Sequence, residues 1–265
     1  MLTEFSHILA FSMLFISSVF DVRSELGDVP DVFAAVAVIG GVVLHGAQSF
    51  LTGSWLPLVY CLAVGTAFSA YGWAAYWKGL WGGADAFAMS ALGFGAPFLT
   101  ASASGVILHA GDLVMNLLGV AVVYSVAFSV LRAYRTEGFL QGFREVVVDN
   151  RFRAALFLGA GLSVFVFFDF FRAFMLYGLL MAGVLVTYFL RAVEDYAMVE
   201  EVDVDDLEGG EVLKGERIRG VTEEEIDEME GTVEVMHGLR FLPVFPVALL
   251  LTDAGFSILV FIISL

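Results

Sequence analysis

Two aspartates are the residues of this sequence best placed to do chemistry. Asp21 ends the first apolar run, and Asp85 opens a later one, within the stretch KGLWGGADAFAMSA at residues 78–91. A carboxylate at the edge of a membrane's apolar core is costly unless it is hydrated, paired or functional. The glycines Gly82 and Gly83 remove side chains just before Asp85, so that another backbone segment can come close. Asp85 therefore needs a partner, and Asp21 is the best candidate.

The chemistry that such a pair supports is acid–base catalysis. When two carboxyl groups are held close in a low-dielectric setting they cannot both ionise easily, so one stays protonated while the other is charged. The charged group can take a proton from water while the neutral group hydrogen-bonds to a peptide carbonyl. Neither a nucleophilic side chain nor a metal is required. The alternative is structural: Asp85 is a helix N-cap, and Asp21 belongs to a loop at a membrane surface.

Composition predicts which elements position these residues. The chain has 265 residues, of which 59% are hydrophobic and 16% charged, and its mean hydropathy is +0.86. These values predict an all-α polytopic membrane protein with about six to eight transmembrane helices. The first apolar run follows Glu4 with no Lys or Arg before it, so we expect a retained span and not a secretory signal. With Cys61 as the single cysteine, disulfides and cysteine-based zinc sites are excluded.

The order of apolar and polar segments predicts five regions. We expect a transmembrane catalytic core, a basic cytoplasmic loop, a pair of spans or a hairpin, an acidic cytoplasmic insert with a little α/β structure, and a final transmembrane helix. Their predicted ranges are 1–131, 132–153, 154–190, 191–240 and 241–265. Within the core, the predicted spans run from about Phe5 to Phe20, Phe33 to Leu51, Leu56 to Trp77, Asp85 to Pro97 and Asp112 to Leu131.

The distribution of basic residues predicts the orientation. The loop at 132–153 carries five arginines, the strongest basic cluster in the chain: Arg132, Arg135, Arg144, Arg151 and Arg153. The positive-inside rule therefore places this loop in the cytoplasm. Counting back across the predicted spans places the N-terminus outside and both Asp21 and Asp85 on the cytoplasmic side.

The net charge of −16 is concentrated in the insert. Between Glu194 and Glu230 there are 16 acidic residues against three basic ones, Lys214, Arg217 and Arg219, which leaves a net of −13. Such a surface excludes nucleic-acid binding. In the same region, MVEEVDV and GTVEVM alternate like strands, and Thr222 to Glu225 form a capping box that opens a short helix.

These residues resemble the GxGD membrane aspartyl proteases, and among them the archaeal preflagellin and type IV prepilin-like leader peptidases. The match rests on Asp21 after the first span, on Gly82-Gly83-Ala84-Asp85, and on the hydrophilic insert before a last span that begins with Phe241-Leu242-Pro243. The resemblance implies that Asp21 and Asp85 are the catalytic pair. It also implies cleavage, at the cytoplasmic face of the cell membrane, of the short basic leader from membrane-inserted precursor proteins. No cofactor and no metal are expected.

The sequence departs from the family pattern at several positions. Ala84 replaces the glycine that precedes the second aspartate, although a small residue still permits close packing. The spans within 154–190 have no counterpart that we can assign. Pro243 and Pro246 would free backbone carbonyls with which a substrate strand could pair, or they are ordinary prolines at the start of a helix.

Two rival functions fit a chain of this kind. A proton-coupled secondary transporter would use the carboxylates as proton relays, and a presenilin-like protease would cut within the bilayer. Four other polar residues in or beside the apolar runs have less specific predicted roles. Asp253 tunes the active site, lines a polar cavity or is buried with a hydrogen-bonded partner. Asp169 caps a turn, and His45 and His109 lie on the external side and could meet. Neither the precursor nor the oligomeric state follows from the sequence.

Overall fold

The computed structural model describes residues 1–24, 29–215, 220–236 and 238–258, and its regular structure is almost entirely helical. Three parts of the predictions lie outside these residues: part of the first polar loop (25–28), Arg217 with Arg219, and the end of the last predicted span (259–265). The helices are α1 (Leu2–Arg23), α2 (Val32–Thr52), α3 (Leu56–Trp77), α4 (Gly83–Gly95), α5 (Ala103–Arg135), α6 (Phe139–Asp149), α7 (Arg151–Gly161), α8 (Val164–Phe167), α9 (Phe170–Ala192), α10 (Glu223–Ile226) and α11 (Val244–Asp253). The two strands are β1 (Val199–Asp203) and β2 (Thr232–Met236).

The chain is an all-α polytopic membrane protein, which confirms the predicted fold class. Among the described residues, five helices are long and apolar enough to cross a membrane, namely α1, α2, α3, α5, and α9 with its continuation to Ala197. A sixth span results if α6 and the segment Arg151–Phe167 form one broken span, which is bent by 63°. The remaining predicted spans are shorter helices: α4 has 13 residues and α11 has 10.

The first compact unit, Met1–Tyr124 with Leu239–Leu265, is built around α4. At about 1.5 Å per residue, α4 is roughly 20 Å long, which is too short to cross an apolar core of about 30 Å. Almost all of its residues from Ala86 to Gly95 are buried. They pack against α1, α2, α3 and α11. The predicted span that begins at Asp85 is thus a short central helix, and Pro97 follows shortly after its last turn.

Glycines allow the spanning helices to approach α4 closely. A Cβ atom added to Gly93 would lie 2.6 Å from the Phe68 Cβ and 3.0 Å from the Gly65 Cα. A Cβ on Gly72 would lie 3.0 Å from the Met89 Cβ, and one on Gly41 would clash with the Phe94 carbonyl. Small residues at helix contacts are the usual way in which membrane helices gain packing energy, because lipid supplies no hydrophobic driving force.

The second compact unit, Ser125–Gly238, contains the helices of the segment 154–190, which was predicted as a pair of spans or a hairpin. The turn between α8 and α9 lies where the sequence predicted it, and the Asp169 carboxylate accepts a hydrogen bond from the Arg172 N–H at 3.2 Å, which confirms the predicted cap. The segment 132–153, predicted as a loop, is instead largely helical. In α6 the buried residues Phe139, Gly142 and Val146 share one face, so this helix is amphipathic. It carries Arg144, whereas the other four arginines of the segment lie in α5 and α7.

The acidic insert in this unit forms a small two-stranded sheet. Strands β1 and β2 pair antiparallel, with Val199 opposite Met236 and Asp203 opposite Thr232. The two strands and the capping box of α10 were predicted, and the structure confirms all three. In the capping box, the Thr222 N–H donates to Glu225 Oε2 at 2.9 Å, and the Glu225 N–H donates to Thr222 Oγ1 at 3.3 Å. Leu207, Val221 and Val235 form the apolar core beneath the strands.

Candidate functional site

Asp21 lies in the last turn of α1, where its side chain is buried. The structure therefore places it in a helix and not in the loop that the structural alternative required. One of its carboxylate oxygens, Oδ2, accepts a hydrogen bond from the Leu242 N–H at 3.3 Å. Leu242 belongs to the short segment that precedes α11, so two parts of the chain that are 221 positions apart meet at this carboxylate.

Arg240 anchors this segment to the end of α1. Its Nη1 donates to the Asp21 carbonyl at 2.9 Å and to the Val22 carbonyl at 2.6 Å. The last carbonyls of a helix have no partners within the helix and carry partial negative charge, so a guanidinium group is a favourable cap. The Tyr124 hydroxyl on α5 donates in turn to the Arg240 carbonyl at 2.7 Å. These contacts hold the Leu242 N–H against Asp21.

Asp85 lies in the first turn of α4, outside the five spanning helices. Its Oδ2 accepts a hydrogen bond from the Gly82 N–H at 3.1 Å. The N-cap residue is therefore Gly82 and not Asp85 as the structural alternative predicted, although the Asp85 carboxylate does help to cap the helix from its first turn. Partial burial raises the pKa of Asp85 to about 7 from 3.8; the Gly82 hydrogen bond opposes this rise, and the nearby Asp21 charge adds to it. Asp85 is therefore a carboxyl group that keeps its proton up to neutral pH.

The structure brings Asp21 and Asp85 to the same end of the first unit, close enough for the charge of one to act on the other. An aromatic cluster ties the segment before α4 to the segment whose Leu242 N–H donates to Asp21. Trp81, just before α4, contacts Phe241 and Phe245, with ring centroids 6.4 and 6.2 Å apart. Since Leu242 follows Phe241 directly, the same contact that holds the start of α4 also positions the N–H donor to Asp21.

The glycines beside Asp85 do not have the role that we predicted for them. A Cβ on Gly82 would lie 3.5 Å from Asp85 Oδ2, and one on Gly83 would lie 3.9 Å from the Tyr76 ring, both ordinary contacts. Gly82 also has an extended backbone with φ of −74°, which any residue can adopt. The close backbone approach occurs instead deeper in the bundle, at Gly93 and its neighbours. Ala84 lines a small cavity.

That cavity has a volume of about 10 Å³, roughly the space that one water molecule needs. Its lining is mostly apolar and includes Ser17, Ala84 and Leu242. Ala84 precedes Asp85, and Leu242 is the residue that donates to Asp21, so residues next to both aspartates line the cavity, whereas the two aspartates themselves do not. Because the space is far smaller than a peptide segment, a peptide substrate requires an opening between the helices.

Pro243 and Pro246 are prolines at the start of a helix, and the two carbonyls of Phe241 and Leu242 beside them already accept hydrogen bonds. Pro243 is the N-cap residue of α11. The Phe241 carbonyl accepts from the Val244 N–H at 3.0 Å, and the Leu242 carbonyl accepts from the Phe245 N–H at 3.1 Å. The pairing of these carbonyls with a substrate strand is therefore not supported by the structure.

Three other candidates lie at the opposite end of α1. Asp253 is not alone, because its Oδ1 lies 2.8 Å from His7 Nδ1. His109 lies beside His7, with ring centroids 5.4 Å apart, and not beside His45 as the sequence had allowed. His45 is buried against Phe98 instead.

Sequence reasoning missed Arg240, Leu242 and Tyr124 at the aspartate end and His7 at the other. Arg240 had a recognisable signal, since it is a basic residue immediately before the predicted last span. The backbone N–H of Leu242 had none. Comparisons with family models, with curated proteins and with solved structures find no match to this chain.

Proposed function

We propose that the chain is a membrane aspartyl endopeptidase of the leader-peptidase type. The observation that carries the proposal is the placement of Asp21 and Asp85 at the same end of a helical membrane bundle, in different hydrogen-bonding surroundings. Asp21 accepts from the Leu242 N–H beside the Arg240 guanidinium, whereas Asp85 keeps a proton up to neutral pH because its pKa is raised to about 7. Such a difference between two neighbouring carboxyl groups is what assigns acid and base roles.

In the proposed reaction, Asp21 is the general base and Asp85 the general acid. A water molecule attacks the peptide carbonyl carbon as Asp21 takes one of its protons, and Asp85 gives its proton to the carbonyl oxygen. The resulting tetrahedral diol collapses as the C–N bond breaks: the amine nitrogen takes the proton held by Asp21, and one diol hydroxyl returns a proton to Asp85 as it becomes the carbonyl of the new carboxylic acid. The Leu242 N–H stabilises the charged form of Asp21 between turnovers.

The proposed substrate is a membrane-inserted precursor with a short basic leader, as in preflagellins and type IV prepilins. Its leader ends in Lys or Arg before a Gly at the cleaved bond, and a hydrophobic helix follows. The acidic stretch Glu194–Glu230, with its net charge of −13, attracts such a leader over a distance. In this proposal the N-terminus is outside the cell membrane, and the two aspartates face the cytoplasm.

A reconstituted cleavage assay tests the function. The purified chain and a precursor with a Lys-Gly or Arg-Gly junction are placed in liposomes, and the products are identified by mass spectrometry. Cleavage at the junction supports the proposal. Cleavage deep inside the substrate helix would point to an intramembrane protease, and proton flux without any cleavage would point to a transporter; either result contradicts the proposal.

Replacing Arg240 tests whether the anchored segment positions Asp21. In Arg240→Met the contacts to the Asp21 and Val22 carbonyls are lost. The Leu242 N–H then shifts from Asp21, and we expect cleavage to slow by about 10- to 100-fold, because misplacement of a catalytic group by about 1 Å has effects of this size. Lys78→Met is the matched control, since Lys78 is an exposed cation next to the same site. Equal rates in the two variants would show that the Arg240 contacts do not matter.

The raised pKa of Asp85 predicts a pH dependence of stability. Since its pKa is about 7 in the folded chain and 3.8 in the reference state, the folded chain binds this proton more tightly. The resulting contribution to stability is complete below about pH 3.8 and is lost as the pH rises through about 7. Asp85→Asn keeps a neutral side chain at every pH. We therefore expect its melting temperature to fall less between about pH 5 and about pH 8 than that of the wild type.

The control for this measurement is Asp31→Asn, which removes an exposed carboxylate at the start of α2. This variant should retain the wild-type difference in melting temperature between the two pH values. If Asp85→Asn behaves like Asp31→Asn, the pKa of Asp85 is not raised in the folded chain.

A further inference from the structure

Three ligand-type side chains meet at the end of α1 remote from Asp21. They come from three helices: His7 from α1, His109 from α5 and Asp253 from the end of α11. At about 1.5 Å per residue, His7 lies roughly 21 Å along α1 from Asp21. Both histidines are buried, whereas the Asp253 side chain is partly exposed. The group is therefore separate from the aspartate site and open to solvent or headgroups on one side.

The geometry brings one donor atom of each residue into a common space. His7 Nδ1 and Asp253 Oδ1 are 2.8 Å apart, and the rings of His7 and His109 have centroids 5.4 Å apart. One ligand atom from each of the three residues lies within 4.8 Å of the other two. In a tetrahedral zinc site with bonds of about 2 Å, ligand atoms are about 3.3 Å apart, so small shifts are enough.

Backbone carbonyls determine which ring nitrogens carry hydrogen. His7 Nε2 lies 3.1 Å from the Phe98 carbonyl oxygen, and His109 Nε2 lies 3.1 Å from the Ala96 carbonyl oxygen. A carbonyl oxygen can only accept, so both Nε2 atoms must be the donors. In a neutral imidazole the other nitrogen, Nδ1, then carries a lone pair. In its neutral form each histidine is therefore the tautomer that leaves Nδ1 as a ligand.

This tautomer leaves His7 Nδ1 facing a carboxylate. Neutral His7 Nδ1 and ionised Asp253 Oδ1 are both acceptors, and two acceptors at 2.8 Å repel each other unless a cation lies between them. That cation is either a proton or a metal ion. A ring nitrogen of His109 also lies within 4.8 Å of a ligand atom of each of these two residues, and a proton shared by His7 and Asp253 gives this third ligand-type side chain no role. Donation of the distal N–H to a backbone carbonyl is also the usual outer-shell arrangement of metal-binding histidines.

We propose that His7, His109 and Asp253 bind a divalent transition-metal ion. Two imidazoles and one carboxylate suit zinc and its neighbours in the first transition series, and three protein ligands leave a position for water. The ion links α1, α5 and α11 at this end of the bundle, where the contacts between Asn116 and Thr252 already join α5 to α11. This site does not depend on the proposed peptidase function.

Metal titration of the purified full-length chain tests the site, with Zn²⁺ alone as the probe. After treatment with a chelator, we expect one strong zinc site per chain by calorimetry, and a rise in melting temperature on adding zinc. Asp253→Asn and His109→Gln should each weaken zinc binding by at least about tenfold. The glutamine can still donate to the Ala96 carbonyl, so the fold should be kept. Co²⁺ in place of zinc should give the visible absorption of a low-coordinate nitrogen and oxygen site, and this absorption should be lost in both variants.

The matched controls are Asp112→Asn and His45→Gln. Asp112 is another carboxylate on α5, hydrogen-bonded to Ser257, and His45 is another buried histidine of the same unit. Both controls should bind zinc as the wild type does. Absence of a strong site in the wild type would overturn the proposal. Zinc binding of unchanged strength in Asp253→Asn and His109→Gln would also overturn it. In either case the contact between His7 and Asp253 would be explained by a shared proton and not by a metal ion.

Discussion

Replacement of either Asp21 or Asp85 by asparagine is expected to reduce precursor cleavage by at least about 100-fold. Asparagine has nearly the same shape as aspartate but neither accepts nor delivers a proton at a carboxyl group, and general acid–base catalysis contributes about 10²- to 10⁴-fold to a rate. In the proposed reaction the two carboxyl groups act in one step, so the double variant should be little worse than either single variant. The rate of leader release, followed by gel shift with the precursor in liposomes, is the measurement.

The Asp31→Asn variant is the control, as Asp31 is an exposed carboxylate at the start of α2. It should cleave at the wild-type rate. A size-exclusion profile of each variant separates loss of chemistry from loss of fold. If an Asp21→Asn or Asp85→Asn chain with a normal profile still cleaved at the wild-type rate, the pair would have no catalytic role.

The second large effect concerns the packing of α4. Alanine at Gly93 is expected to lower the melting temperature, whereas alanine at Gly46 is expected to leave it unchanged or to raise it. Gly93→Ala would place a Cβ 2.6 Å from the Phe68 Cβ and 3.0 Å from the Gly65 Cα. Neither neighbour is the end of a flexible side chain, so α3 and α4 must move apart. Overpacking of this kind costs about 1–3 kcal/mol. We expect Gly93→Ala to lower the melting temperature and to weaken cleavage, because α4 carries Asp85.

Gly46→Ala is the matched control in α2. A Cβ on Gly46 would have no atom within 4 Å, and replacing a helical glycine by alanine favours the helix by up to about 1 kcal/mol. The melting temperature of this variant should stay the same or rise. Melting of both variants in one detergent, followed by size-exclusion chromatography after heating, makes the comparison. A similar change in both variants would show that α3 and α4 are not in tight contact at Gly93.

Much of the architecture could be predicted because its signals are local. A run of about 20 apolar residues predicts a spanning helix whatever surrounds it, and α1, α2 and α3 lie close to their predicted bounds. The capping box at Thr222 and the cap at Asp169 depend on residues three positions apart. The predicted bounds failed where packing decides. The predicted span at Asp85 is instead a short central helix, α4, whose many Ala and Gly residues permit close packing. The basic segment at 132–153 is largely helical, and α6 within it has an apolar face.

The candidate site divides in the same way. Residue type and position at the ends of apolar runs were enough to single out Asp21 and Asp85, since a carboxylate in such a place needs a partner or a function. Their catalytic role stays a prediction. The donors around Asp21 depended on the tertiary structure, because an N–H from Leu242 and a guanidinium from Arg240 reach it from 221 and 219 positions away.

The His7, His109 and Asp253 group is the clearest case of what only the fold decided. Each residue alone reads as an isolated polar side chain in an apolar helix. No periodicity links positions 7, 109 and 253, which three separate helices bring together. Sequence determines the helices and the polar side chains they carry, because hydropathy and capping act over a few residues. Which polar groups meet depends on how those helices pack, and packing is set by contacts between residues far apart in the chain.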